Sequence, residues 1–245
     1  MTEKSPSRPA RADYGLDAPR AVRGMFVTAA LCLLVAASLR RGIPSGYHDL
    51  GVSLTWTGGY FAFFGSLMYL SSRVGKLRAR DGLLDRLKLD PSATVLDAGC
   101  GHGLLLIGAA HRVATGRAIG VDIWSQRDQG ENSAAATLAN AAAEGVADRV
   151  EVREGDIREL PFLDASFDAI VSNLVIHNIS GRDQRRRAIN EFVRVLRPGG
   201  QIGIMDLGHV GQYADDLRAA GMSEVTTHGI TPWIFPPTRI LTARK

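Results

Sequence analysis

Residues 95–103, VLDAGCGHG, carry the densest chemical signal in the chain. An apolar run ends in Asp97, and Gly99, Gly101 and Gly103 then alternate through a loop. Glycines let a backbone approach a ligand closely and take conformations closed to other residues. The pattern is D-x-G-x-G-x-G, not the G-x-G-x-x-G of a dinucleotide site, whose diphosphate lies on a helix N-terminus. A carboxylate at the loop entrance repels a diphosphate and suits a ligand with ammonium and sulfonium charge. Asp122 follows twenty-five residues later at the end of a second apolar run. It can accept two hydroxyl hydrogen bonds, but a nicotinamide site uses an acid in the same place, so Asp122 alone does not discriminate. Two histidines can exchange protons near neutrality: His177, four residues beyond Asn173, and His209, just after Asp206. Each also reads as a polar wall residue without catalytic duty.

These residues need a scaffold, and the chain alternates strands with helices to build one. Strand patterns fall at 94–97, 117–122, 149–153, 167–173 and 201–206; helix patterns fall at 104–112, 133–144, 184–196 and 213–220. Residues 224–229 and 239–244 can add a closing antiparallel pair, and 73–89 reads as a helix leading into the domain. Such alternation implies a parallel sheet with helices on both faces. Ligands of such sheets lie at the carboxyl ends of the strands, where strand order reverses. Asp97, Asp122, Asp156 and Asn173 all stand just after predicted strands.

The 95–103 loop resembles motif I of the class I S-adenosylmethionine-dependent methyltransferases. The segment 155–157 (GDI), 167–173 (FDAIVSN) and 195–200 (VLRPGG) resemble later motifs of that family, in the right order. The resemblance covers about residues 83–245, most similar to small-molecule members such as quinone-biosynthesis and arsenite methyltransferases. It implies an α/β, doubly wound, mostly parallel seven-stranded Rossmann-like sheet. It implies S-adenosylmethionine as cofactor, bound by Asp97, Gly99, Cys100, Gly101 and Gly103. Asp122 would take the ribose, Ile123 or Trp124 the adenine face, Asp156 with Ile157 the adenine edge, and Asn173 the methionine end. Simple packing is the competing reading for Trp124. Methyl transfer needs a base only where the nucleophile must lose a proton; His177 is then first choice and His209 second. Arsenite is disfavoured as acceptor, because Cys100 sits in the cofactor loop and Cys32 in an apolar run. A nicotinamide-dependent reductase and a non-catalytic cofactor-binding scaffold are the alternatives.

The first 89 residues lie partly outside that resemblance. They hold 13 Lys and Arg against 6 Asp and Glu, and the remainder holds 16 against 19. The positive excess therefore belongs to the N-terminal part, and no nucleic-acid face is expected on the main domain. The six arginines between 182 and 197 read as a solvated helix face with ion pairs. Two cysteines, in such different settings, predict neither a disulfide nor a metal cluster. Residues 1–23 read as a disordered basic tail. Residues 24–39 and 50–72 are free of charge, sixteen and twenty-three residues long. A membrane-crossing helix needs about 20 apolar residues, so the second run is long enough and the first marginal. The expected organisation is a tail (1–23), a two-helix transmembrane hairpin (24–72), a linker helix (73–89) and the catalytic domain (90–245). Basic residues crowd the outer flanks, with only Arg40 and Arg41 between the runs. Both termini and the catalytic domain are thus expected on the cytoplasmic side of the cell membrane, acting on a small or lipid-like acceptor. A helical lid over the site, or a signal peptide in the first run, are the competing readings.

Overall fold

The computed structural model describes residues 12–42, 47–125 and 132–245. Residues 1–11 of the expected tail and 43–46 of the inter-helix connection lie outside the described residues.

Seven strands form one sheet in the order β3-β2-β1-β4-β5-β7-β6. β1 (Thr94–Ala98), β2 (Arg117–Asp122), β3 (Val150–Glu154), β4 (Phe167–Asn173) and β5 (Leu196–Asp206) run parallel. β7 (Thr238–Arg244) inserts antiparallel between β5 and β6 (Ser223–Thr231), so the sheet is mixed. Successive strand residues point to opposite faces, and two cores follow from that alternation. Val95 packs on one face with Leu105, Leu106 and Ile107 of α4 (Leu104–Arg112). Leu96 packs on the other with Ile189 and Phe192 of α6 (Arg182–Val195) and Tyr213 of α7 (Val210–Ala219). The Pro198–Gly199–Gly200 turn does not stand outside the sheet as expected. Pairing of β4 with β5 jumps from Phe167↔Leu196 to Ala169↔Gln201, so the turn is absorbed as an irregularity of β5.

Strand order reverses between β1 and β4, which opens the crevice at their carboxyl ends. α5 (Ala134–Ala143) follows β2, capped by Ser133, whose hydroxyl accepts from Ala136 N at 3.2 Å.

Two long helices precede the sheet: α1 (Pro19–Gly42) and α2 (His48–Leu70). Their contact repeats every seven residues. Val22, Ala29 and Ala36 of α1 are buried, as are Gly51, Gly58 and Gly65 of α2. A Cβ on Gly58 would lie 3.2 Å from the Ala29 carbonyl oxygen. Small residues at this spacing let two backbones close together, the mode by which helices associate in lipid. The hydroxyls of Ser38, Thr55 and Thr57 donate to the carbonyls of Leu34, Gly51 and Ser53 in their own helices, and Thr55 Oγ1 also accepts from the Arg40 guanidinium of α1 at 3.2 Å.

Three expectations are corrected here. The better spanning candidate is the first run, not the second. Among the described residues only Pro19–Arg41 is long and apolar enough, with 17% of its most apolar window buried. The second helix is diluted by Ser53, Thr55, Thr57 and its glycines. Residues 12–18 of the expected tail are ordered. Tyr14 is buried against the domain, Asp13 and Asn140 exchange hydrogen bonds of 2.9 Å, and a helix has begun by Pro19. The linker is no separate element: α2 runs through one π-helical turn (Ser71–Gly75) into α3 (Lys76–Leu87).

Candidate active site

The glycine loop is shaped by what lies beneath it. Gly99, Gly101 and Gly103 all have positive φ, and a Cβ on Gly99 would collide with Val175. Asp97 is 2% exposed, its Oδ2 accepts from Leu106 N at 2.7 Å, and burial pushes its carboxyl up to about 8. Asp122 binds the loop directly: its Oδ2 accepts from Gly101 N at 2.9 Å. Its Oδ1 accepts from Trp124 N at 2.7 Å and Asn132 Nδ2 at 3.2 Å. Thr137 and Asn140 of α5 hold the other side, donating to the carbonyls of Gly101 and His102. Burial and the two nearby carboxylates push the Cys100 thiol up, and Gly120 leaves room for its sulfur. Cys100 is thus a packed neutral thiol, not a nucleophile.

A cleft of about 1100 Å³ opens above this loop. It brings together Asp97, Gly99, Cys100, Gly101, Asp122, Ile123, Asp156, Ile157, Asn173 and His177 of the expected site. Gly103 lies below it as the residue before α4. Trp124 does not line it; its side chain packs against the core, which leaves the apolar role at this turn to Ile123. The Arg158 guanidinium chelates Asp156 and holds its carboxyl below the usual range. Among the described residues, the cleft-lining His102, Asn132 and Asn173 carry buried polar atoms without a hydrogen-bond partner: His102 Nδ1 and Nε2, Asn132 Oδ1 and Asn173 Oδ1. Buried polar groups are normally satisfied, so a polar ligand is what this cleft accommodates.

His177 and His209 part company. His177 follows β4 on a short helical turn (Ile176–Asn178); its Nδ1 bonds Asp206 Oδ1, and its own N donates to Asp206 Oδ2 at 3.0 Å. Asp206 is fully buried at the end of β5, where Tyr213 and Leu207 N also bond it. His209 instead stands exposed at the start of α7 with positive φ, outside the cleft. Position after a strand end was too coarse a criterion for it.

Several cleft residues escaped the sequence reading. Residues 12–18 cross over the glycine loop. Lys76 Nζ donates to the carbonyls of Tyr14 and Gly15 at 2.8 and 2.7 Å and reaches Asp17 Oδ1 at 3.4 Å. Lys76 is thus not a solvated flanking charge, and burial pushes its amine down. The rim is completed by the start of α1, Met68 of α2, and Ile234 with Phe235 from the β6–β7 loop. Phe235 N donates to Ser71 Oγ at 2.8 Å, and its ring lies 5.4 Å from that of Phe64. Only the asparagine before the α5 cap, Asn132, had a local signal that could have flagged it.

The donor set suits S-adenosylmethionine: two buried acids for a cationic ligand, a glycine cradle without Cβ atoms, and unpartnered amide and imidazole groups. Comparison with known proteins agrees. Residues 96–204 match the methyltransferase domain family. An arsenite methyltransferase of Halobacterium salinarum is 34% identical over 133 residues, 52% of this chain and 30% of that protein. The chloroplastic 2-phytyl-1,4-beta-naphthoquinone methyltransferase of Arabidopsis thaliana is 34% identical over 48% of this chain and 43% of its own. A demethylmenaquinone methyltransferase of Lactobacillus johnsonii is 28% identical over 71% of this chain and 66% of its own. The matched stretch thus spans less than two thirds of these relatives. A SAM dependent methyltransferase from Aquifex aeolicus superposes with a TM-score of 0.55 at 19% identity, over 69% of this chain and 90% of that one. The [4+2]-cyclase SpnF superposes with a TM-score of 0.58 at 22% identity, over 69% and 81%. These likenesses establish the fold, and the cyclase illustrates that the fold alone does not set the reaction. Through residues 96–204, under half of its length, the chain resembles the methyltransferase domain family, and the relatives it matches in part are methyltransferases.

Proposed function

We propose that the protein methylates a small lipophilic acceptor at a membrane surface, with its catalytic domain on the cytoplasmic side. The observation that carries this reading is the convergence of unpartnered buried polar atoms on one acid-containing cleft roofed by the ends of the hairpin. In this reading Asp97 holds the cofactor's ammonium and Asp122 its ribose hydroxyls. Asp156 accepts from the adenine amine, and Ile123 and Ile157 pack on the ring. The backbone from Gly99 to Gly103 approaches the ligand, and Asn173 faces the methionine end. When bound, S-adenosylmethionine supplies a methyl group on a cationic sulfur, open to displacement by a nucleophile.

The chain's contribution is then alignment, water exclusion and, where needed, a base. Holding reactants in line is worth roughly 7–11 kcal/mol. The 12–18 segment and the β6–β7 loop cover the cleft, which keeps water out. His177 is the base: Asp206 engages Nδ1 and fixes the ring, leaving Nε2 as the nitrogen without a partner among the described residues. That pairing is a positioning device, as in other carboxylate–imidazole pairs.

The anchor rests on two supports. α1 is long and apolar enough to cross a bilayer, and its outer face is bare. The small-residue seam joins it to α2 as a unit whose remaining faces are apolar, including Leu34, Trp56 and Phe63. Anchoring raises the local concentration of a membrane-dissolved acceptor.

Calorimetric titration of the full chain with S-adenosylhomocysteine and NADH tests the cofactor reading; binding of NADH alone would sink it. Comparing lipid extracts from cells with and without the protein, by mass spectrometry, identifies the acceptor. With it in hand, Asp206→Asn and His177→Gln are expected to lower kcat by about 10²–10⁴-fold, with S-adenosylhomocysteine affinity within about twofold of the parent. Unchanged kcat would leave His177 as a wall residue.

A further inference from the structure

The charged residues lining the cleft can be paired off one by one. Asp156 is chelated by Arg158, and Lys76 is held by Asp17 and two carbonyls. Asp97 and Asp122 accept from backbone amides of the glycine loop and of α4. His177 is engaged by Asp206. Two side chains remain. Arg20 and Arg23 both line the cleft, both are exposed, and neither has an ion pair or hydrogen bond among the described residues. No acid stands in the first turn of α1 to balance them.

Their neighbours are apolar. α1 begins beside the end of α2, since a Cβ on Gly65 would lie 3.3 Å from Met25 Cβ. Met68, one turn further along α2, lines the same cleft, as do Ile234 and Phe235. The cleft that holds the acidic glycine loop is thus also lined by apolar side chains and by two guanidinium groups without a partner among the described residues. A guanidinium offers forked donors that match a phosphate or carboxylate. A neutral acceptor would leave both to water.

Resting on the methyltransferase reading above, we infer that the acceptor is an amphiphilic anion. Its phosphate or carboxylate meets Arg20 and Arg23, and its apolar part lies along Met68, Ile234 and Phe235. The charged group fixes which end of the molecule stays at the rim, so the methylated atom belongs to the part that reaches down toward His177. Such a molecule partitions into a bilayer with its charge at the surface, which is where the start of α1 would place the cleft.

The test uses the full chain in nanodiscs of phosphatidylcholine, with hexyl phosphate, hexanol and inorganic phosphate as probes and calorimetry as readout. Hexyl phosphate is expected to bind about tenfold more tightly than either of the others, and Arg20→Gln/Arg23→Gln to remove that margin. S-adenosylhomocysteine affinity of the double variant should equal that of the parent. Equal binding of hexyl phosphate and hexanol, or a margin that survives the double substitution, overturns the inference. Replacing a third of the lipid by phosphatidylglycerol separates the sources. Competition assigns the site to a bilayer lipid, and its absence to a soluble amphiphile; both outcomes keep the anion. Failure of the parent to bind S-adenosylhomocysteine would instead overturn the methyltransferase reading, and this inference with it.

Discussion

Helices α1 and α4 are both apolar, yet their surroundings are opposite. In α4 every residue from Leu104 to Ala110 is buried, covered by α3, α5 and the sheet. In α1 only one side is covered, by α2, while Phe26, Leu31, Leu34 and Val35 stand open. Burying a large aliphatic side chain is worth about 1.5–3 kcal/mol, so α4 is a source of folding stability. The open face of α1 contributes nothing of that kind within the chain. Under the anchoring proposed above, its contribution is realised in an apolar surround, so that the same composition serves a core in one region and membrane contact in the other.

The largest effect that would break this contrast is Leu31→Lys with Leu34→Lys, near the middle of α1. Each lysine costs roughly 2.5–3.5 kcal/mol at the centre of a bilayer. The double variant should appear in the soluble fraction after alkaline carbonate treatment while the parent stays with the membranes. Retention of the variant would show that α1 does not sit in lipid. Ile107→Ala in α4 comes next. Ile107 is fully buried, and the substitution is expected to destabilise the domain by about 2–5 kcal/mol in denaturant titrations. Leu34→Ala on α1, measured the same way in detergent, should stay within about 0.5 kcal/mol of the parent.

Smaller effects sharpen the picture at the site. Asp122→Ala removes the acceptor for Gly101 N and Asn132 Nδ2 together with the proposed ribose contact. Calorimetry should show S-adenosylhomocysteine affinity weakened by about 1.5–3 kcal/mol. The last effect concerns Asp97. Burial raises its carboxyl to about 8, so the folded chain keeps a proton that the unfolded chain releases from about pH 4 upward. The folded state then binds more protons than the unfolded one, and its stability declines as pH rises from about 4 to about 8. Asp97→Asn should flatten that decline in melting curves of the ligand-free protein. A slope identical to the parent's would mean that the carboxyl is ionised when folded.

Much of the catalytic domain could be read directly from the chain. β2, α4 and β4 fall on the residues expected, because a strand or helix buried on both sides carries an unbroken apolar run and its ends are marked by glycine or acid. The glycine loop was readable for a related reason: backbone that must take positive φ beneath a ligand has few residues to choose from. The seven-residue seam between α1 and α2 was present in the chain too, but small residues inside an apolar run leave no contrast for a periodic reading to find.

What local pattern could not decide was which distant groups meet. His177 and His209 stand four and three residues beyond strand ends in the sequence. Only the parallel pairing of β4 with β5 brings His177 onto Asp206, and only the positive-φ start of α7 leaves His209 in solvent. Trp124 is turned into the core because the short turn after β2 binds back on Asp122. Residues 12–18 look like tail by composition, yet Lys76, 62 residues from Tyr14, ties them over the cofactor loop. A strand or a glycine turn is specified by neighbours a few residues away, whereas a cleft wall is specified by contacts whose partners are set by the topology of the sheet.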